Sequence, residues 1–426
     1  VMSARTASRG PSGAGERALA PDLARGSMLL FIALANTVWY LWAAPTGGLT
    51  AHPEPEGAPD AAAQFFTMVA VDSRSYPMFA FLFGYGIVRL ATRQEAAGAD
   101  PKDVSALLRR RNLWLLGFGF VHALLLWFGD VLGAYGLAGL VLCWLFLRRR
   151  DTTLLVWAGA LTGIMVLLSA VGLLGLVFQQ TGTEAATSVS DGVDMMAGNI
   201  ENPSVIGAAL GRITVWPVVV LGQGLVGLVV PTVMLLGFWA ARHRILEEPG
   251  RHLVLLRLVA FVGVPAGWLG GVPTALAQIG VWDRSPGDAL AFLDLTAGMV
   301  GGLGYVALIT LIAHRIQRRG REPGVVLTAL TATGKRSLSC YLGQSVLCAP
   351  LLSAWGLGLA VHLTSWSMVL FAVGVWLVTV VTAYVLERAG RRGPAEVLLR
   401  RLSYRRPLGR QVAGSSDDTD QERTTR

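Results

Sequence analysis

Charge is scarce in this chain. Asp, Glu, Lys and Arg make up 15% of its 426 residues, against about a quarter in soluble domains. That composition excludes an ordinary water-soluble domain and makes length a poor guide to domain count. Cysteine is scarcer still. Cys143, Cys340 and Cys348 all lie in apolar runs, at spacings that make neither a metal site nor a disulfide framework, and they read as small buried residues. No P-loop is present, so nothing supports ATP-driven pumping by this chain. A G-x-S-x-G turn, an H-E-x-x-H helix and a Cys/His cluster are also missing. The glycine-rich stretches GYGIVRL and GGLGYV fall inside apolar runs and read as packing, not nucleotide binding.

What the chain has is apolar length. Hydrophobic residues reach 53%, mean hydropathy is +0.53, and there are 51 glycines. Small residues of that kind let helices approach closely in lipid. A spanning helix needs roughly 20 apolar residues, and ten segments qualify: 27–44, 75–92, 112–129, 131–147, 153–178, 221–241, 253–279, 289–313, 337–360 and 366–386. Residues 62–74 and 204–219 are ambiguous, either lying along the interface or entering partway. The predicted fold is all-α: a polytopic integral membrane bundle of about ten transmembrane helices with both termini cytoplasmic. Its parts are a flexible cytoplasmic start at 1–26, a single membrane domain at 27–404 and a disordered tail at 405–426.

The basic residues support that threading. With ten alternating spans and the N-terminus inside, all of the 36 Lys and Arg except Arg74, Arg212 and Arg284 fall on the cytoplasmic side, as the positive-inside rule requires. The net charge of +9 therefore reads as membrane topology and not as nucleic-acid binding. The expected partners are the lipid bilayer and a small or lipid-linked substrate; no oligomeric state follows from the sequence.

Several polar residues could carry chemistry. His122 lies about ten residues into the third span. It acts either as a general base or proton carrier, or as a neutral ring hydrogen-bonded to a neighbouring helix. Asp130 lies ~12 Å further along a continuous helix. The Gly129-Asp130 pair reads as the outer turn between two spans, with Asp130 at the surface capping the next helix, so the two side chains need not touch. On the outer side, Arg74 stands two residues after Asp72, Arg284 adjoins Asp283 and Asp294 lies in the eighth span, whereas no acid follows Arg212 closely. A bundle that gathered them would hold an anion-binding site, local ion pairing being the alternative. On the inner side, Arg25, Arg109, Arg110 and Arg111 are either topogenic or the basic mouth for a phosphate-bearing donor such as an acyl coenzyme A; no resident cofactor or metal is evident. Asn36, Gln223, Ser337, Tyr341, Gln344 and Ser345 line either a polar cavity or helix contacts. GPAEVLLRRLSYRR, apolar on one face and basic on the other, reads as a helix on the cytoplasmic surface.

Five motifs in order carry a resemblance: DLARGSMLLFIALAN (Asp22–Asn36), SYPMFAFLFGYG (Ser75–Gly86), the Arg109–Leu140 stretch with its Arg-rich start, His and Gly-Asp, GKRSLSCYLGQS (Gly334–Ser345) and GPAEVLLRRLSY (Gly393–Tyr404). Together they resemble the YeiB-like bacterial inner-membrane proteins, the domain-of-unknown-function 418 family, itself distantly similar to transmembrane acyltransferases. The resemblance implies a multi-pass protein of the bacterial cytoplasmic membrane that is transport-associated or acyl-transferring; an accessory subunit without turnover is a third reading. Ser339-Cys340-Tyr341 departs from the family's usual Thr-Asn-Tyr, which removes the Asn amide as a hydrogen-bond donor.

Overall fold

The computed structural model describes residues 18–44, 50–177, 198–282, 288–320 and 324–404. The elements are helical: α1 (Leu19–Thr37, extended by a 3-10 turn at Val38–Tyr40), α2 (Ala58–Ala70), α3 (Ser75–Ala96), α4 (Pro101–Leu125), α5 (Val131–Phe146), α6 (Asp151–Val177), α7 (Val205–Leu221), α8 (Val229–Arg242), α9 (Leu253–Gln278), α10 (Asp288–Arg318), α11 (Val325–Lys335), α12 (Ser337–Leu352), α13 (Ser365–Arg388) and α14 (Pro394–Ser403). Six are long and apolar enough to cross a membrane: α1 with its extension, α6, α7 with the turn after it, α9, α10 and α13. Leu155, Val156 and Leu167 of α6, Ile206 and Leu210 of α7, and Phe261 and Leu269 of α9 stand exposed. Apolar faces of that extent suit lipid and not water, and the chain is a helical membrane protein.

Several boundaries differ from the sequence expectation. α1 begins at Leu19, so the end of the segment expected to be flexible is helical, with Ala20, Pro21, Asp22, Leu23 and Ala24 buried. Residues 204–219 form most of α7, a helix of spanning length instead of an interfacial segment. The expected 221–241 span is broken: a π-turn at Gly222–Val226 separates α7 from the 14-residue α8. Glycines at 222, 224 and 227 weaken helix continuation there. The 337–360 segment stops at Leu352, beyond which Gly358 adopts a left-handed φ of +61°. Residues 62–74 fall mostly within α2, which packs on α9 and α13; its Asp60 accepts the backbone N–H of Trp366 at 2.9 Å. The 405–426 tail, Arg284 and Asp283 lie outside the described residues.

The helices meet where side chains are smallest. A Cβ on Gly26 of α1 would come 2.0 Å from the Leu330 carbonyl oxygen of α11, and one on Gly334 would come 1.8 Å from the Asp22 oxygen. The two glycines permit one close crossing between the first and fourth of the quoted motifs, which sets the basic ends of α1 and α12 side by side.

Candidate functional site

α4 ends because its last turn closes on itself. The backbone N–H groups of Leu126 and Trp127 both donate to the His122 carbonyl, at 2.9 and 3.0 Å. The chain then reverses, and Asp130 becomes the N-cap of α5, its Oδ2 accepting the Gly133 N–H at 2.6 Å. The capping expectation holds. The expectation of a surface aspartate apart from His122 does not: Asp130 is 0% exposed and its Oδ1 lies 2.8 Å from His122 Nδ1. The reversal starts at Leu126, ahead of the Gly129-Asp130 pair, and this folds the carboxylate back onto the imidazole.

An ionised carboxylate only accepts hydrogen bonds, so Nδ1 carries the proton. In the neutral ring this leaves the lone pair on Nε2, which is buried and has no hydrogen-bond partner. The Tyr341 ring stands 5.2 Å from the imidazole, and its hydroxyl accepts the Val131 N–H at 3.4 Å. Gly119 makes the contact possible, since a Cβ there would reach within 2.2 Å of Asp130 Oδ2.

Arg212 holds this helix end. Its Nε donates to the Ala123 carbonyl and its Nη2 to the Leu124 carbonyl, both at 3.0 Å, and its guanidinium lies over the Trp355 ring. A cation at a helix C-terminus is electrostatically favoured. Arg212, named from the sequence as a substrate ligand, thus spends its donors on α4. It does not join Arg74 in one outer site.

Arg74, wholly buried, pairs with Asp294 at 2.7 Å and also donates to the backbone oxygens of Asp72 and Gly267. Asp294 accepts from Ser73 Oγ at 2.5 Å, and Asp72 pairs with His52 at 2.8 Å. The expected gathering of Arg74, Asp72 and Asp294 is present as a closed local network, with only Nε of the guanidinium left without a partner. Gln344 donates to the Leu29 carbonyl at 3.0 Å, an interhelical bond. Asn36 is half-buried on α1.

At the opposite, basic end a cavity of about 380 Å³ opens among α1, α3, α4, α12 and α14. Arg25, Arg89, Arg93, Arg111, Lys335 and Arg400 line it, with Asp22, Glu247 and Glu396 among them. Arg89 is paired with Glu247 at 2.6 Å. Arg111 lies over the Phe83 ring, and its Nη1 is buried without a hydrogen-bond partner. Burial pushes the nearby Tyr404 phenol up, opposed by Arg111 and Arg400. Two of the four arginines expected at this mouth, Arg25 and Arg111, are therefore in it; Arg110 instead donates to the Ser403 carbonyl at 3.0 Å. Arg109 is not in it either; it lines a separate cavity on the far side of α4. Two residues apart on a helix is about 200° of rotation, so Arg109 and Arg111 face opposite ways.

The floor of the cavity includes Phe79, Leu115 and Leu132. The Phe79 ring also contacts Tyr135 at 5.2 Å and Tyr341 at 6.3 Å. Two aromatic rings, Phe79 and Tyr341, thus separate the cavity from His122, which is not among its lining residues. Among the described residues no cluster of three His, Cys, Asp or Glu side chains is placed to hold a metal ion.

The two C-terminal motifs lock together at the mouth. Glu396 accepts the backbone N–H groups of Leu338 and Ser339 at 2.8 and 3.1 Å and the Ser339 hydroxyl at 2.5 Å. Ser339 Oγ in turn accepts the Ala395 N–H. Lys335 and Arg336 both pair with Glu387 of α13. Sequence reasoning passed over Glu396 and Glu387. The signal was an acid three residues after Gly393, at the start of a helix, facing a motif rich in donors. Cys340, standing where Asn is usual, reaches the Thr379 carbonyl at 3.9 Å, a weak contact.

Residues 240–406 match the family described as "Protein of unknown function (DUF418)". The uncharacterized protein YeiB of Escherichia coli (strain K12) is 26% identical over 419 residues, covering 92% of this chain and 97% of YeiB. The uncharacterized protein YxaH of Bacillus subtilis (strain 168) is 27% identical over 347 residues, 78% of this chain and 80% of YxaH. The C-terminal part of the chain is thus similar to the DUF418 family, and nearly the whole chain is similar to YeiB. The matched DUF418 segment contains both interlocking motifs, Gly334–Ser345 and Gly393–Tyr404, whereas the His122–Asp130 pair lies before it. No solved structure matches the chain.

Proposed function

We propose that this chain is a multi-pass protein of the bacterial cytoplasmic membrane, both termini cytoplasmic, that transfers an acyl group from a phosphate-bearing thioester to a hydroxyl acceptor. The observation that carries the reading is the His122–Asp130 pair: a carboxylate fixes the Nδ1–H tautomer, and Nε2 is left free to accept a proton. That is the arrangement a general base needs. The acceptor hydroxyl oxygen bonds to the acyl carbonyl carbon as its proton passes to Nε2. The carbon–sulfur bond breaks, and the imidazolium returns the proton to the leaving thiolate. Arg111, with a buried unpartnered nitrogen, and Arg25 hold the donor's phosphates in the basic cavity. The thioester reaches His122 when Phe79 and Tyr341 turn aside. His122→Ala is expected to abolish acyl transfer from a labelled acyl coenzyme A in isolated membranes while protein level stays unchanged; normal transfer in that variant refutes the proposal.

Secondary transport is the second reading. It is favoured by the aromatic floor, which stops the basic cavity short of the Arg74–Asp294 network, as a closed gate would. It predicts solute flux in reconstituted vesicles that Arg111→Gln reduces, together with no acyl transfer.

A further inference from the structure

The cavity that contains Arg109 has a different character from the basic mouth. It encloses about 630 Å³ between α4 and α5. Leu108, Leu140 and Val141 form an apolar wall, and Arg109, Arg148 and Arg149 stand at the basic end of the bundle. No carboxylate lines it, in contrast to the mouth, where Asp22, Glu247 and Glu396 are interleaved with the arginines. Three guanidinium groups thus converge without a counter-ion from the protein. Arg148 is held in position across the opening, its Nη2 donating to the Pro101 carbonyl at 2.5 Å and to Ser105 Oγ at 3.1 Å. Arg109 is exposed and makes no hydrogen bond or ion pair with any described residue. Trp144, 83% exposed, flanks the groove. An exposed tryptophan beside arginines at one end of a membrane bundle is the pattern of the headgroup region.

We propose that this groove binds one anionic phospholipid. Its phosphate takes charge-assisted hydrogen bonds from Arg109 and Arg148, and its acyl chains lie along Leu140, Val141 and the Trp144 ring. Charge complementarity selects the ligand: a groove with three cations, no acid and an apolar wall running into the bilayer fits an amphiphile with an anionic head. A zwitterionic lipid brings its own cation into a site that already has three. The site is independent of the acyl-transfer reading, since it lies on the opposite side of α4 from the mouth.

The test is native mass spectrometry of the full chain, purified in detergent and offered phosphatidylglycerol and phosphatidylcholine in equal amounts. The wild-type protein is expected to retain phosphatidylglycerol about tenfold over phosphatidylcholine, the scale set by arginines near an anionic headgroup. Arg109→Gln breaks no contact within the protein, so it leaves the fold intact and lowers that preference several-fold. Arg109→Gln/Arg148→Gln removes the preference, and Arg109→Lys/Arg148→Lys retains part of it. Equal retention of the two lipids by the wild type, or an unchanged preference in the double Gln variant, overturns the proposal. Displacement of phosphatidylglycerol by an equal concentration of inorganic phosphate overturns it too, because the apolar wall would then contribute nothing.

Discussion

His122 Nδ1 and Asp130 Oδ1 meet at 2.8 Å across the turn that joins α4 to α5, with both side chains almost wholly shielded. The same carboxylate caps α5. One residue therefore sets where a helix starts and which nitrogen of a histidine carries the proton, and the two tasks separate under mutation.

Asp130→Asn keeps an oxygen for the cap but no longer stabilises an imidazolium. It is expected to lower acyl transfer by about 10²–10⁴, the range for general-base catalysis, with a small change in thermal stability. Asp130→Ala loses the cap as well, at a further cost of about 1 kcal/mol. Thermal melts in detergent beside transfer rates separate the two effects; equal melting losses in both variants would count against the cap.

Gly119→Ala drives a Cβ to 2.2 Å from Asp130 Oδ2. Overpacking of this kind costs about 1–3 kcal/mol, and the melting temperature should fall together with transfer. Gly117→Ala, whose nearest new contact is 4.0 Å away, is the control and should be neutral. If the two alanines behave alike, α4 and α5 are not held together as described.

Arg212→Met leaves the Ala123 and Leu124 carbonyls without their charged donor. Hydrogen bonds to charged groups contribute about 1.5–3 kcal/mol, so a clear loss of stability is expected. Arg212→Lys should recover only part of it, because an ammonium cannot reproduce the planar fork. Full recovery by lysine would show that charge alone matters there.

Glu396→Ala removes the acceptor shared by Leu338, Ser339 and the Ser339 hydroxyl. α14 should then detach from α12, and limited proteolysis is expected to cut the 389–404 region faster than in the wild type. Unchanged cleavage would mean that α14 is held by Arg110, which donates to the Ser403 carbonyl, and not by Glu396.

The helical hairpin around His122 was legible in the sequence, as was the cap at Asp130; the Arg74–Asp294 pair was not, because the two are 220 residues apart and the acid next to Arg74 in sequence, Asp72, pairs with His52 instead. The His122–Asp130 contact was not, because Leu126, Trp127 and Phe128 are apolar and read as more helix. Trp127 and Phe128 instead pack with Tyr40 and Trp39, Tyr40 stacking on Trp127 at 4.9 Å. The role of Arg212 was hidden for a different reason: its partners are backbone carbonyls, which carry no residue identity. The separation of Arg109 from Arg111 could have been read from helical periodicity alone.

The most direct test of the acyl-transfer account is a steady-state comparison of wild type, Arg111→Gln and His122→Ala with an acyl coenzyme A donor. If the cavity binds the donor and His122 performs the chemistry, Arg111→Gln raises the donor KM with kcat nearly unchanged. His122→Ala lowers kcat by about 10² or more with KM nearly unchanged. Transfer by His122→Ala at the wild-type rate contradicts the account.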